Sequence, residues 1–111
     1  MILIADSGST KTKWTLTNAD GQLLGTLYTD GLNPFYRTEE QTYNVLVNEL
    51  FPALEGKLPE YIFFYGAGCS QRDKVERMEH ALKKAFPSAH ISVEHDLTAA
   101  ARATCGEVML Y

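Results

Sequence analysis

Residues 2–5 read ILIA, four successive apolar side chains with no polar position among them. A strand points its side chains to alternate faces, so such a run suits a central strand buried on both faces. The run stops at Asp6 and passes into Ser7-Gly8-Ser9-Thr10-Lys11-Thr12. Lys13-Trp14-Thr15-Leu16-Thr17 then alternates polar and apolar, the period of a half-buried strand. Asn18-Ala19-Asp20-Gly21 is a turn, and Gln22 to Thr29 a third strand. The loop after Asp6 therefore joins strand to strand in an antiparallel meander.

Helical spacing follows. Thr38-Glu39-Glu40-Gln41 reads as a capping box, with Tyr43, Leu46, Val47, Leu50 and Leu54 at helical spacing behind it and Pro52 predicting a break near the end. Tyr61 to Tyr65 is a fourth strand, ended by Gly66-Ala67-Gly68. Ser70 is expected to cap a helix whose inner stripe is Val75, Met78, Leu82 and Phe86 and which Pro87 closes. Asp73/Arg77 and Glu79/Lys83 are spaced as i,i+4 pairs on its wet side. Ile91 to Glu94 is a fifth strand, and Asp96 begins a last helix, LTAAARATC, stopped by Gly106. The order β-β-β-α-β-α-β-α predicts an α/β fold with a five-stranded mixed sheet and helices on both faces. Strand-helix-strand crossovers pair strands in parallel, so strands 1, 3, 4 and 5 are expected to end at one edge.

A chain of 111 residues fits a single domain spanning 1–111. Its net charge of -4 argues against nucleic acid or an anionic membrane as the main partner. No apolar run approaches the ~20 residues that span a bilayer. No basic segment precedes ILIA, so a signal peptide is not expected. The two cysteines, Cys69 and Cys105, lack CxxC spacing and read as small buried apolar groups in a reducing, cytoplasmic setting.

The loop from Ser7 to Thr12 contains neither GxxxxGK(S/T) nor GxGxxG, and it does not lead into a helix. One reading is an anion nest. Gly8 takes positive φ without penalty, backbone amides turn inward, and the hydroxyls of Ser7, Ser9, Thr10 and Thr12 add donors while Lys11 adds charge. Asp6 then suits Mg²⁺ held through waters. The other reading is a polar hairpin turn with no ligand. Gly31-Leu32-Asn33-Pro34, Gly66-Ala67-Gly68-Cys69-Ser70 and His95-Asp96 follow strands 3, 4 and 5 at the same expected edge. Ligands of open α/β sheets bind outside the carboxyl ends of strands. A carboxylate, an anion loop, an amide side chain and a second carboxylate are the residue types of a phosphoryl-transfer site. Asp96 is also a favoured helix cap, a role compatible with that of a base. Asn33 is either a turn residue before Pro34 or a donor and acceptor for a sugar hydroxyl. Trp14 reads as core.

DSGSTKT after an apolar strand resembles the first phosphate motif of the actin-like ATPase and sugar-kinase superfamily. More closely, MILIADSGSTKTKW, GLNPFYRTEE, FYGAGCS and HDLTAAARATCG are similar, in that order, to the N-terminal half of the BadF/BadG/BcrA/BcrD-type ATPases. That group contains the N-acetylglucosamine kinases. The resemblance implies a ribonuclease H-like fold that uses ATP and Mg²⁺ and takes a small sugar. It implies that Asp6 and Ser7, Gly8, Ser9, Thr10, Lys11 and Thr12 form the phosphate and magnesium element. Asn33 matches a sugar contact, Gly68 and Ser70 lie in the substrate loop, and Asp96 matches the base on the acceptor hydroxyl. Family members continue into a second, C-terminal domain with another glycine-rich loop and the adenosine pocket. The expectation is therefore that this domain, or a complementary chain, supplies half the nucleotide site and that the chain alone is inactive. Without it, the TAAARA helix and GEVMLY tail are expected to favour homo-oligomers. Two further functions go with the resemblance: an ATPase activating a partner redox enzyme of the acyl-CoA dehydratase type, and a non-catalytic binding or assembly module. GLNP, with its amide, favours the kinase.

Overall fold

The meander closes through side-chain chemistry local to each turn. In the computed structural model, which describes residues 1–8, 10–66, 69 and 71–94, β1 is Ile2–Ser7, β2 Lys11–Thr17 and β3 Leu23–Asp30. Asn18 Oδ1 accepts the N–H groups of Asp20 and Gln22 at 3.0 and 2.9 Å, and Gly21 takes φ 87°, so the β2–β3 turn is an Asx turn completed by a glycine in the left-handed region. β2 runs antiparallel to both β1 and β3.

The expected capping box forms. Thr38 Oγ1 accepts the Gln41 N–H at 3.1 Å, and Gln41 Oε1 accepts the Thr38 N–H at 2.9 Å. α1, Glu39–Val45, continues through a π-helical turn at Leu46–Leu50 into α2, Phe51–Leu54. The break expected at Pro52 is this widened turn. Proline has no N–H, and its ring would clash with the carbonyl four residues back. The turn before it opens instead, and the Phe51 N–H bonds Leu46 O. Glu55, in the left-handed conformation, ends the segment.

β4 is Tyr61–Gly66, α3 Arg72–Ala85 and β5 His90–Glu94. β4 pairs in parallel with β1 and β5 with β4, giving the sheet order β3-β2-β1-β4-β5. α3 starts at Gln71, whose side chain makes no capping bond. This places the N-cap one residue after Ser70, and Ser70 lies outside the described residues. The Asp73/Arg77 and Glu79/Lys83 pairs do not form. Arg77 Nη1 donates instead to Pro34 O at 2.7 Å and Lys83 Nζ to Ala89 O at 2.8 Å, while Arg72–Glu76 at 3.3 Å is the i,i+4 pair present. A loop carbonyl has few donors available to it, whereas an exposed ion pair adds only tenths of a kcal/mol.

One face of the sheet carries Leu3, Ala5, Trp14, Leu16, Ile62, Phe64 and Val93, packed against Leu46, Leu50, Leu54, Met78, Leu82 and Phe86 from the helices. Trp14 is fully buried, as expected, and its indole N–H donates to Thr29 Oγ1 at 2.9 Å. Ile2 and Ile4, on the opposite face, are half-buried. α1 and α3 pack against each other on the core face. The last helix expected from Asp96 lies outside the described residues. Among the described residues no helix is long and apolar enough to cross a membrane.

Candidate functional site

The carboxyl ends of β1, β3, β4 and β5 do meet at one edge. Ser7 pairs with Thr12 and Gly66, Thr12 with Thr29, and Tyr65 with Glu94. The alternation of each strand sorts this edge into two rows. Thr29, Thr12, Ser7 and Gly66 share the core face. Tyr28, Lys13, Asp6, Tyr65 and Glu94 share the other.

The core-face row is a hydrogen-bond network whose protons can be counted. Thr12 Oγ1 lies 3.0 Å from Asp30 O, a carbonyl that can only accept, so the single Thr12 proton goes there. In the 2.7 Å contact between Ser7 Oγ and Thr12 Oγ1, Ser7 is therefore the donor. Ser7 Oγ in turn accepts the Leu32 N–H at 3.0 Å. A second relay runs from the Trp14 indole through Thr29 Oγ1, which donates to the same Asp30 O at 3.1 Å. Two relays of aligned donors thus converge on one carbonyl, and such chains strengthen each bond in a dry setting. Ser7 is 4% and Thr12 0% exposed, and both hydroxyls are engaged within the protein. Both residues, expected as donors in the anion loop, here hold the end of the loop together.

The loop itself also differs from the expected nest. The positive-φ glycines of the described residues are Gly21 and Gly56, and Gly8 is not among them. The Gly8 N–H turns back to Lys11 O at 3.0 Å and closes a tight hairpin. Beside the hairpin, an open cleft of about 400 Å³ is lined by Asp6, Gly8, Thr10, Lys11, Lys13 and Tyr28. Lys11 Nζ stands 5.2 Å from the Tyr28 ring centroid. Lys13 is cross-strand from Asp6 and from Tyr28. Lys13 and Tyr28 join the cleft without having been expected there from the sequence. Alternation opposite the buried Trp14 was the available signal for Lys13, but its pairing with Asp6 follows from register.

Asn33 stands on the loop after β3 and is 8% exposed. Its Oδ1 accepts the Phe35 N–H at 2.9 Å, and its carbonyl accepts the N–H groups of Tyr36 and Arg37. The residue builds the turn, one of its two expected roles, and among the described residues its Nδ2 makes no hydrogen bond. Arg37 Nε donates to Gly31 O at 2.6 Å and its guanidinium lies 3.7 Å from Asp30 Oδ2; Arg77 holds Pro34 O. The Asp30 N–H is held by Glu49 Oε1 at 2.9 Å. The loop is thus clamped from within by Arg37 and from distant elements by Glu49 and Arg77.

Gly66 ends β4 for a packing reason. A Cβ there would lie 2.5 Å from Cε1 of the buried Phe64 ring. Burial, and then the charge of Glu94, push the Tyr65 phenol above its usual range, so it stays a proton donor. Burial pushes the Cys69 thiol up to about 11. Ser9, Gly68, Ser70, Asp96 and Cys105 lie outside the described residues.

No protein-family model and no curated protein matches the chain. Among solved structures it is similar to a candidate N-acetylglucosamine kinase from Porphyromonas gingivalis, with TM-score 0.84 and 40% identity over 96% of this chain and 38% of that one. It is also similar to a candidate N-acetylglucosamine kinase from Chromobacterium violaceum, with TM-score 0.66 and 16% identity over 96% of this chain and 39% of that one. At that lower identity the likeness is one of fold alone. The chain spans well under half the length of either protein. The sheet order and these likenesses give an α/β fold of the actin-like ATPase type, as found in sugar-kinase-like domains.

Proposed function

We propose that this chain is the phosphate- and sugar-facing N-terminal domain of an ATP-dependent N-acetylglucosamine kinase of the BadF/BadG/BcrA/BcrD-type group. One observation carries the reading. The cleft with Asp6 and two lysines stands at the same sheet edge as the Asn33 loop, and a buried relay ties Ser7 and Thr12, which flank the hairpin beside the cleft, to Leu32 in that loop. A donor side and an acceptor side are thus held in fixed relation, which is most of what phosphoryl transfer requires of a protein. The likeness to the Porphyromonas gingivalis protein supports the same choice.

In this reading Lys11 and Lys13 meet the polyphosphate, and Asn33 Nδ2 donates to a sugar hydroxyl. Asp6 is an exposed oxygen donor beside an open cleft. That fits Mg²⁺, which takes one or two carboxylates plus phosphate oxygens and retains waters. When bound, the ion neutralises charge on the phosphates. We assign Asp96 as the base that accepts the proton of the acceptor hydroxyl, with Ser9 in the phosphate loop and Gly68 and Ser70 in the substrate loop. The adenosine pocket is completed by a second domain, in the same chain or another, and the enzyme works in the cytoplasm, where ATP is supplied. A metal-binding cysteine must be a thiolate. Cys69 is 1% exposed with a raised thiol, which disfavours it as a cluster ligand of the redox-activator type.

The test is coupled ADP release by the chain joined to its own or a homologous second half, with N-acetylglucosamine and with glucosamine. The expected result is sugar-dependent turnover that Asp96→Asn lowers by roughly 10²–10⁴ in kcat, the usual general-base contribution, at unchanged Tm. ADP release indifferent to any sugar would refute the reading. Near-normal kcat in Asp96→Asn with a lowered Tm would reduce Asp96 to a helix cap. The chain without a second half is expected to stay below the roughly 1–100 s⁻¹ typical of kinases.

A further inference from the structure

We propose that Ser7 and Thr12 are positioning residues that transmit occupancy of the hairpin loop to the Leu32–Asn33 loop, so that an anion at the first orders the polar groups of the second. The inference rests on the reading above that this edge takes a polyphosphate.

The two hydroxyl residues flank the hairpin. Ser7 directly precedes Gly8 and Thr12 directly follows Lys11, the two residues whose backbones close the turn at 3.0 Å. An anion drawing on Thr10, Lys11 or Lys13 therefore pulls on the backbone that carries both hydroxyls. Their bonds leave the hairpin. Ser7 Oγ holds the Leu32 N–H, 25 residues away, and Thr12 Oγ1 holds the Asp30 carbonyl, 18 residues away. These two groups bracket Gly31 and stand immediately before Asn33. The chain Leu32 N–H to Ser7 O–H to Thr12 O–H to Asp30 C=O satisfies all four groups at good distances, and turning either hydroxyl away forfeits one of these bonds.

The loop is also built to pass a displacement on. Leu32 is fully buried, and the loop is pinned beyond Asn33 by Arg77 on Pro34 O and before it by Arg37 on Gly31 O. A shift of the Leu32 N–H between two pinned points turns the Asn33 peptide rather than dissipating along a free chain. Packed cores respond in this discrete way because they deform poorly.

The test is an NMR titration, with magnesium tripolyphosphate, of the ¹⁵N-labelled chain joined to its own or a homologous second half. It follows the backbone amides of Gly8, Lys11, Leu32 and Phe35 and the side-chain amide of Asn33. In the wild type, both loops are expected to shift with one apparent Kd. In Thr12→Val, Gly8 and Lys11 still shift, while the Leu32 and Asn33 shifts fall at least fivefold. Thr12→Ser, which keeps the hydroxyl, restores them. A role in stability alone would lower Tm in Thr12→Val and leave the pattern of shifts intact. If Thr12→Val does not fold, Ser7→Ala, which removes the acceptor of the Leu32 N–H, takes its place. Wild-type shifts confined to residues 6–13, or full transmission in the variant, overturn the inference and leave the anion reading standing. No shift anywhere in the wild type overturns both.

Discussion

Thr12→Val is the sharpest test of the relay, because burial alone predicts the opposite sign. Valine matches threonine in shape, and the site is 0% exposed, so no cavity opens and the transfer term favours valine. The hydrogen bonds argue the other way. The substitution removes the donor to Asp30 O and the acceptor of Ser7 O–H. The carbonyl keeps Thr29 Oγ1 at 3.1 Å, so its loss is that of one bond, about 1 kcal/mol. Ser7 keeps only Gly8 O at 3.5 Å, too long for a good bond, and its buried proton costs a further ~1–3 kcal/mol. The sum is a loss of roughly 2–4 kcal/mol, or on the order of 10 °C in Tm for a domain of this size. Urea denaturation with an unchanged m-value is the assay. Thr12→Ser should lose only about 1 kcal/mol, for one methyl. Ser7→Ala combined with Thr12→Val should cost less than the sum of the two, because the second change removes a group the first has already orphaned. A Thr12→Val chain as stable as the wild type, or more so, refutes the proton count.

Gly66→Ala should destabilise by about 1–3 kcal/mol through overpacking against the Phe64 ring, with part recovered in Gly66→Ala/Phe64→Leu, both read by denaturation. Cys69 should resist a thiol reagent at neutral pH until the chain is unfolded. Its folded pKa of about 11 lies above the ordinary thiol value of 9.0, so the folded state binds the proton more tightly. The stability this contributes is complete below about pH 9 and is lost as pH rises towards 11, a decline that Cys69→Ala should flatten. In the joined enzyme, Asp6→Asn should raise the Mg²⁺ concentration needed for half-maximal turnover while leaving sugar KM near wild type; an unchanged Mg²⁺ dependence would remove Asp6 from the metal side.

Features written by near neighbours were legible in the sequence. The Thr38–Gln41 capping box, the Asn18 turn and the burial of Trp14 by alternation each depend on residues within a few positions. The order of strands and crossovers likewise brought four strand ends to one edge, and with them Asp6, the hairpin loop and Asn33. Partners set by register were not legible. Arg77 and Lys83 have well-spaced acids beside them on α3, yet they bond carbonyls at Pro34 and Ala89, because only the packed fold shows which carbonyls lack donors. Gly8 looks like a glycine kept for positive φ, but it does not take one, whereas Gly66 is required by a ring two residues back on its own strand. Ser7 and Thr12 have the residue types of an anion loop, and composition cannot tell a free hydroxyl from an engaged one. That distinction rests on Asp30 and Leu32 arriving beside them from the end of β3. Local sequence determines how the chain turns and alternates. Which polar group each hydroxyl can reach is decided only when distant strands fall into register and water is excluded.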